Sequence, residues 1–187
     1  MNIPYGAFIF LVILLGVWIN DRLPPNNRCF VLAVFILPTL AGAFGLHFVP
    51  DDRRIGRLIC YYLTGSLNAS FVLLLSLQTA NIAGHTKKVV TSACMFLGYC
   101  TGNIAGPFFY KTAQSPTYSL GIWSMIVVLI LEIGIVIALR FLLSSENKRR
   151  DRLQGIDQTH RQERRDLDAT AFEDMTDREN LNFRYIY

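Results

Sequence analysis

Apolar residues gather in five long runs separated by short polar breaks, at Ile3–Ile19, Cys29–Val49, Leu58–Ala83, Val89–Tyr110 and Ser119–Leu143. A bilayer core about 30 Å thick needs ~20 helical residues at ~1.5 Å each, and four of the five runs reach that length. Hydrocarbon offers no partner to a backbone N–H or C=O, so each run is expected to be a helix. The pattern predicts an all-α fold, a polytopic transmembrane helix bundle of about five spans over residues 1–143. The breaks at Asn20–Arg28, Pro50–Arg57, Gly84–Lys88 and Lys111–Tyr118 are short, which makes neighbouring helices antiparallel. After Leu143 the pattern changes. Ser144–Asp168 is charged and nearly free of apolar residues, so it is expected as a solvated helix or a disordered strap, part of a tail over 144–187. Apolar residues return from Phe172. Thr176 and Glu179 have capping-box spacing, predicting a short helix from Asp177. Phe183, Tyr185 and Tyr187 form an aromatic end able to dock on the membrane surface or on the bundle itself.

Charge orients this bundle. Of 18 Lys and Arg residues, nine lie after Leu143 beside ten of the 14 acids, so the tail is close to neutral and a nucleic-acid partner is not expected. Arg22, Arg28, Lys87, Lys88, Lys148, Arg149, Arg150 and Arg152 fall on one side of the spans; Arg53, Arg54, Arg57 and Lys111 fall on the other. Basic residues remain cytoplasmic, so eight against four predicts a cytoplasmic C-terminus. Trp18, Tyr61, Tyr62, Tyr110, Tyr118 and Trp123 sit near span ends, where amphipathic rings settle at headgroup level. Cys29, Cys60, Cys94 and Cys100 lie within spans without metal-ligand spacing, and read as small apolar packing residues. No basic n-region or cleavage site marks the first run as a cleavable signal, so it is expected to stay in the membrane.

Candidate chemistry lies at polar positions inside the apolar runs. The third run carries Asn68 and Gln78, which are costly in hydrocarbon unless they face protein or a water-filled cavity. It is the natural span to line a permeation path. Asn68 begins a glycosylation sequon, read as a false match at mid-membrane. In the fourth run Gly98, Gly102 and Gly106 share one helix face and suit close backbone packing, with Pro107 marking where the span loosens. Tyr99 lies in the same segment, and Asn103 beside the glycines reads as an interhelical hydrogen-bond donor or a substrate contact. Glu132 is the one acid well inside a span; proton coupling is the functional reading, and a support position on an all-round apolar helix the plainer one. No nucleophile, metal set or phosphate-binding loop clusters anywhere. No enzyme activity, metal or cofactor is expected.

The string Asn81-Ile-Ala-Gly84-His-Thr86-Lys87-Lys88 is followed by Gly98-Tyr99-Cys100-x-Gly102-Asn103-Ile-x-Gly106-Pro107. Together they resemble the end of the tenth helix and the eleventh helix of fungal allantoate permease-type transporters, anion:cation symporters of the major facilitator superfamily. The resemblance continues through Arg140-Phe and Glu146-Asn147-Lys148-Arg149-Arg150-Asp151 to Phe172-x-Asp174-x-Thr176-Asp177-x-Glu179-Asn180-x-x-Phe183-Arg184-Tyr185. It covers Asn81–Tyr187 strongly and Ile3–Ala80 loosely. Asp21-Arg22-Leu-Pro-Pro-Asn-Asn-Arg28 resembles the superfamily's loop between helices eight and nine, with the usual glycine one place off at Gly16.

The resemblance implies helices eight to twelve of a two-halved carrier, without its N-terminal half and helix seven, and so a truncated gene model or a degenerate copy. It implies uptake of small organic anions such as allantoate or vitamin-like carboxylates, coupled to protons, at the plasma membrane. On that reading Asn68, Gln78, Tyr99 and Asn103 are the candidate substrate contacts, and Gly98, Gly102 and Gly106 let the helix slide or rock. Half-helix N-termini could serve a missing central cation, though none is located. The expected partners are the bilayer, an organic anion with protons, and the missing N-terminal half or another permease chain. The second reading is a non-transporting five-span module that binds a partner protein through its glycine face and tail.

Overall fold

The structure is a computed structural model that describes residues 2–50, 52–115, 117–153, 176–178, 180 and 183–187. Among the described residues six α-helices run in order: α1 (Asn2–Arg22), α2 (Arg28–Phe48), α3 (Arg54–Thr64), α4 (Leu67–Asn81), α5 (His85–Ala105) and α6 (Ser119–Leu153). Short 3-10 turns fill Pro25–Asn27, Gly106–Phe109 and Thr112–Gln114. Among the described residues, five helical segments are long and apolar enough to cross a membrane, with α3 and α4 together forming the third. The all-α bundle expected from the pattern is the fold observed.

The third run is not one helix. Its chain tightens at Gly65–Ser66, where Gly65 N–H donates to Tyr62 O (2.9 Å) and Ser66 N–H to Leu63 O (3.1 Å). Gly65 is buried at the elbow, where a Cβ would stand 3.2 Å from both Ile9 and Tyr5. The side chains on either side turn inward to the loosened backbone. Thr64 Oγ1 donates to Tyr61 O (2.6 Å) and Asn68 Nδ2 to Gly65 O (3.1 Å). The N–H groups of Asn68, Ala69 and Ser70 are all bonded to carbonyls of Gly65 or Ser66.

The core is built on α2. Cys29, Leu32, Ile36 and Ala43 of α2 meet Ala69, Leu73 and Leu77 of α4 and Ile122, Ile126, Leu129 and Val136 of α6. Within each helix these residues recur at steps of three, four and seven, which lays them along one stripe. Buried polar groups bond across the same seam, Ser70 Oγ donating to Leu32 O (3.3 Å). Small residues let α3 come closest to α2. A Cβ on Gly42 would lie 2.5 Å from Cys60 O, and one on Gly45 would collide with Cys60 Sγ. At the start of α6, Gly121 lies against the Tyr110 ring.

By contrast, α5 buries none of its residues. A Cβ on Gly98, Gly102 or Gly106 would meet nothing within 4 Å. The close helix packing expected of these glycines therefore has no partner among the described residues, and the glycines at tight crossings are Gly42, Gly45, Gly65 and Gly121. α5 ends at Ala105 and passes into the 3-10 turn that contains Pro107.

α6 is 35 residues long, ~52 Å at 1.5 Å per residue, and outruns a 30 Å hydrocarbon core. It continues unbroken through Leu143 into the charged segment as far as Leu153. The remainder of Ser144–Asp168, with Phe172 and Glu179 of the expected capping box, lies outside the described residues.

Candidate functional site: the open seam between α4 and α5

Two side-chain contacts tie α4 to α5. Gln78 Nε2 donates to Ser92 Oγ (3.2 Å), and the Phe71 and Tyr99 rings stack with centroids 5.3 Å apart. Both pairs obey one antiparallel register, because seven residues back along α4 match seven residues forward along α5. Three residues further, that register sets Asn68 level with Gly102, beside Asn103. On α4, Asn68, Phe71 and Gln78 are separated by three and seven residues, which keeps them on one face. On α5, Ser92, Tyr99 and Asn103 follow steps of seven and four, with the same result.

The structure thus puts Gln78 and Tyr99 each in contact with the facing helix across one seam, and it carries Asn68 and Asn103 along the same helix faces without a hydrogen bond across it among the described residues. Phe71 and Ser92, which sequence reasoning passed over, belong to it as well; their signal was the helical spacing from Gln78 and Tyr99. The seam is open. Tyr99 is 52% exposed, and Asn68 and Asn103 are exposed too. Both Asn amides donate locally, Asn68 Nδ2 to Gly65 O (3.1 Å) and Asn103 Nδ2 to Tyr99 O (2.8 Å). Toward the α4 C-terminus the seam deepens into a cavity of about 560 Å³ lined by Leu77, Gln78, Thr91, Cys94 and Leu139. Glu132 lies elsewhere, half-buried on α6, and makes no hydrogen bond or ion pair among the described residues. No group of three or more His, Cys, Asp or Glu among the described residues could hold a metal.

A second constellation joins the helix ends on the side of the Arg28, Lys87 and Arg150 segments. Residues 183–187 run back across these ends outside any helix, and the helix expected from Asp177 falls largely outside the described residues. Asn147 of α6 takes Tyr185, Nδ2 donating to its carbonyl (2.8 Å) while Oδ1 accepts from its N–H (2.9 Å). Asn81 of α4 takes Ile186 in the same reciprocal way, at 2.7 Å for both bonds. Arg28 N–H, at the start of α2, donates to Tyr187 O (3.1 Å). The Arg140 guanidinium lies 3.8 Å from the centroid of Phe30 and 5.3 Å from that of Tyr187.

Arg150 is the hub. Its side chain is 3% exposed and donates to Glu146 Oε1, Asn180 O, Phe183 O and Tyr185 Oη at 3.0–3.2 Å. Tyr185 donates in turn to Asp177 Oδ2 (2.7 Å), and Asp177 pairs with Lys87 of α5. Hydrogen bonds from Arg149 and then Arg150 hold the Glu146 carboxyl down at about 2. Burial works against the Asp177 carboxylate, but the bonds from Lys87 and Tyr185 outweigh it and keep it below the ordinary carboxylate range. Burial, with the bond to Asp177, pushes the Tyr185 phenol up to about 12. The aromatic end expected to dock on membrane or bundle docks on the bundle.

Five apolar spans, an intramembrane polar seam and a charged collar at one end define a multi-pass membrane protein. Relatives place it further. The chain is 38% identical over 99% of its length to an uncharacterized transporter of Schizosaccharomyces pombe, of which it covers 35%. It is 34% identical over 89% of its length to the allantoate permease of Saccharomyces cerevisiae, of which it covers 30%. An MFS-type transporter of Penicillium expansum is 32% identical over 84% of the chain, which covers 31% of that protein. No family model and no solved structure matches. Over most of its length the chain is similar to transporters of the major facilitator superfamily type, an allantoate permease among them, and it spans about a third of the length of the relatives it matches. Those relatives are named as transporters or permeases, not enzymes.

Proposed function

We propose that this chain forms the C-terminal part of a proton-coupled permease for small organic anions, with its tail in the cytoplasm and the plasma membrane as its site. The observation that carries this reading is the open α4–α5 seam. Asn68, Gln78, Tyr99 and Asn103 share it, and the Gly98, Gly102 and Gly106 stripe beside it faces open space. In a two-halved carrier the substrate site lies between halves near the bilayer midplane, so a polar, unpartnered face is what one half presents there. The glycines then allow close approach of helices that this chain does not contain. Glu132 is the candidate for the proton, being the acid within a span. The first run would begin outside the cell. The charged tail over 144–187 acts as a cytoplasmic unit that includes the collar.

Replacing the matching third of the S. cerevisiae allantoate permease with this chain tests the reading. Uptake of labelled allantoate, nicotinate and pantothenate is followed in cells lacking the native carrier. Acid-stimulated uptake of one of these anions, lowered by Gln78→Ala, is expected. A chimaera that reaches the plasma membrane and moves none of them would sink the proposal.

The same open glycine face supports a second reading, a non-transporting module docked on another permease chain. Co-purification of the 187-residue chain with a full-length permease, without uptake by the chimaera, would favour it.

A further inference from the structure

The charged collar encloses a cleft of about 670 Å³ between the α5 N-terminus, the end of α6 and the returning tail. Lys87, Arg149, Arg150 and Arg178 face it, against two carboxylates, Glu146 and Asp177. Both carboxylates are already committed, Glu146 to Arg149 and Arg150, and Asp177 to Lys87 and Tyr185. The cations are not used up. Arg178 is exposed and the Arg149 side chain is 64% exposed, with its Nη1 turned to neither carboxylate oxygen. The cleft therefore holds a surplus of positive charge and unspent N–H donors. Its floor is apolar, made by Leu142 and Leu143. The surface beyond the floor continues down α6 through Phe141 and Leu142, 68% and 67% exposed, toward the hydrocarbon.

We infer that this cleft binds the headgroup of an anionic glycerophospholipid of the cytoplasmic leaflet, its phosphate on Arg149, Arg178 and Lys87 and its acyl chains along Phe141 and Leu142. A cationic pocket at the interface with an apolar exit into the bilayer fits an amphiphile better than a soluble anion. Arg forks match phosphate oxygens in pairs, which adds geometry to charge. The inference rests on the cytoplasmic placement proposed above, though lipid affinity can be read without it.

The test uses the whole 187-residue chain in nanodiscs of phosphatidylcholine, with and without phosphatidylinositol phosphate. Bound lipid is counted by native mass spectrometry, and Tm is followed alongside. Cations near an anionic surface contribute about fivefold each in affinity, so Arg149→Ala with Arg178→Ala should weaken lipid retention roughly twenty-five-fold. Lys148→Ala with Arg152→Ala removes the same charge outside the cleft and should leave retention nearly unchanged. If the double cleft variant is unstable, Arg178→Ala alone makes the same comparison at about fivefold. Equal losses in the cleft and control variants would mean diffuse attraction and overturn the site. Protection by inorganic phosphate or the soluble headgroup as strong as that by the lipid would overturn the lipid assignment. A tail found outside the cell by protease accessibility, with cleft-specific retention intact, would overturn the topology and uphold the site. Loss of uptake by the chimaera bears on neither.

Discussion

Single glycines divide into two kinds here, and their spacing in the sequence does not separate them. Gly98, Gly102 and Gly106 stand four apart and read as a packing face, yet a Cβ on any of them meets open space in this chain. Gly42 and Gly45 carry no such repeat and sit where α3 crosses α2. Gly42→Val should therefore lower the stability of the chain in micelles by about 1–3 kcal/mol, since Cys60 O is backbone and cannot swing aside. Gly102→Ala should leave that stability unchanged or raise it by up to about 1 kcal/mol through helix propensity. The same Gly102→Ala change should depress uptake in the chimaera, where the glycine face meets the other half. Reversible unfolding in micelles and labelled-anion uptake read the two effects apart. Arg150 is the other position decided by one side chain. Its planar fork reaches two carbonyls, a phenol and a carboxylate at once, which a lysine ammonium on a single stem cannot do. Arg150→Lys should speed amide exchange at Tyr185 by on the order of tenfold, although charge is conserved.

The helices themselves were legible because length and apolarity suffice to define a span. Where one of them bends was not. Gly65 and Ser66 look like ordinary small residues in a polar span, and the close approach of Ile9 and Tyr5 of α1, which leaves little room for a Cβ on Gly65, comes from 56 and 60 residues away in sequence. Nor could α2 be recognised as the central helix, since hydropathy does not distinguish a face packed on protein from one packed on lipid. The seam was half legible. Asn68, Gln78, Tyr99 and Asn103 stood out as polar groups in hydrocarbon, whereas Phe71 and Ser92 become meaningful only once the α4–α5 register is known. The segment over 183–187 had an aromatic signature but no visible acceptor, because its partners Asn81 and Asn147 lie on different helices. Asn81→Ala and Asn147→Ala should each destabilise the segment by about 1–3 kcal/mol through loss of a reciprocal amide pair. Both grip the same five residues, so the double variant should cost clearly less than the sum, as a double-mutant cycle on exchange protection would show.

At the scale of the molecule, the collar is a junction in which residues 183–187 bond α2, α4 and α6 directly and reach α5 through Asp177. Glu146 and Asp177 have folded values below the ordinary ~4 of a free carboxyl, so their contribution is complete above about pH 5 and is lost as pH falls through those values. The Tyr185 phenol is raised instead, so its contribution holds up to about pH 10 and is lost on the way to about 12. Protection of the Tyr185 amide, corrected for intrinsic exchange, should thus be flat from about pH 5 to 9 and fall below about pH 4. A steep change near neutrality would contradict the bonding described for Asp177 and Tyr185. The junction therefore does not sense the protons that a coupled cycle would use at cytosolic pH. Removing residues 183–187 should loosen the helix ends without unfolding the core. Cys29, 1% exposed at the start of α2, should then react with a maleimide in micelles, whereas exposed Cys94 should react in either form. Peptide mapping of the labelled chain distinguishes the two thiols.

That segment also fixes an order of events during synthesis. Every helix it joins leaves the ribosome before it does, so α2, α4 and α6 must wait with their ends untied until Tyr185 and Ile186 emerge. A chain stopped short would display Arg28, Asn81, Asn147 and Arg150 without their partners. Closure of that segment is thus a late step of assembly, because each group it pairs with is made before it.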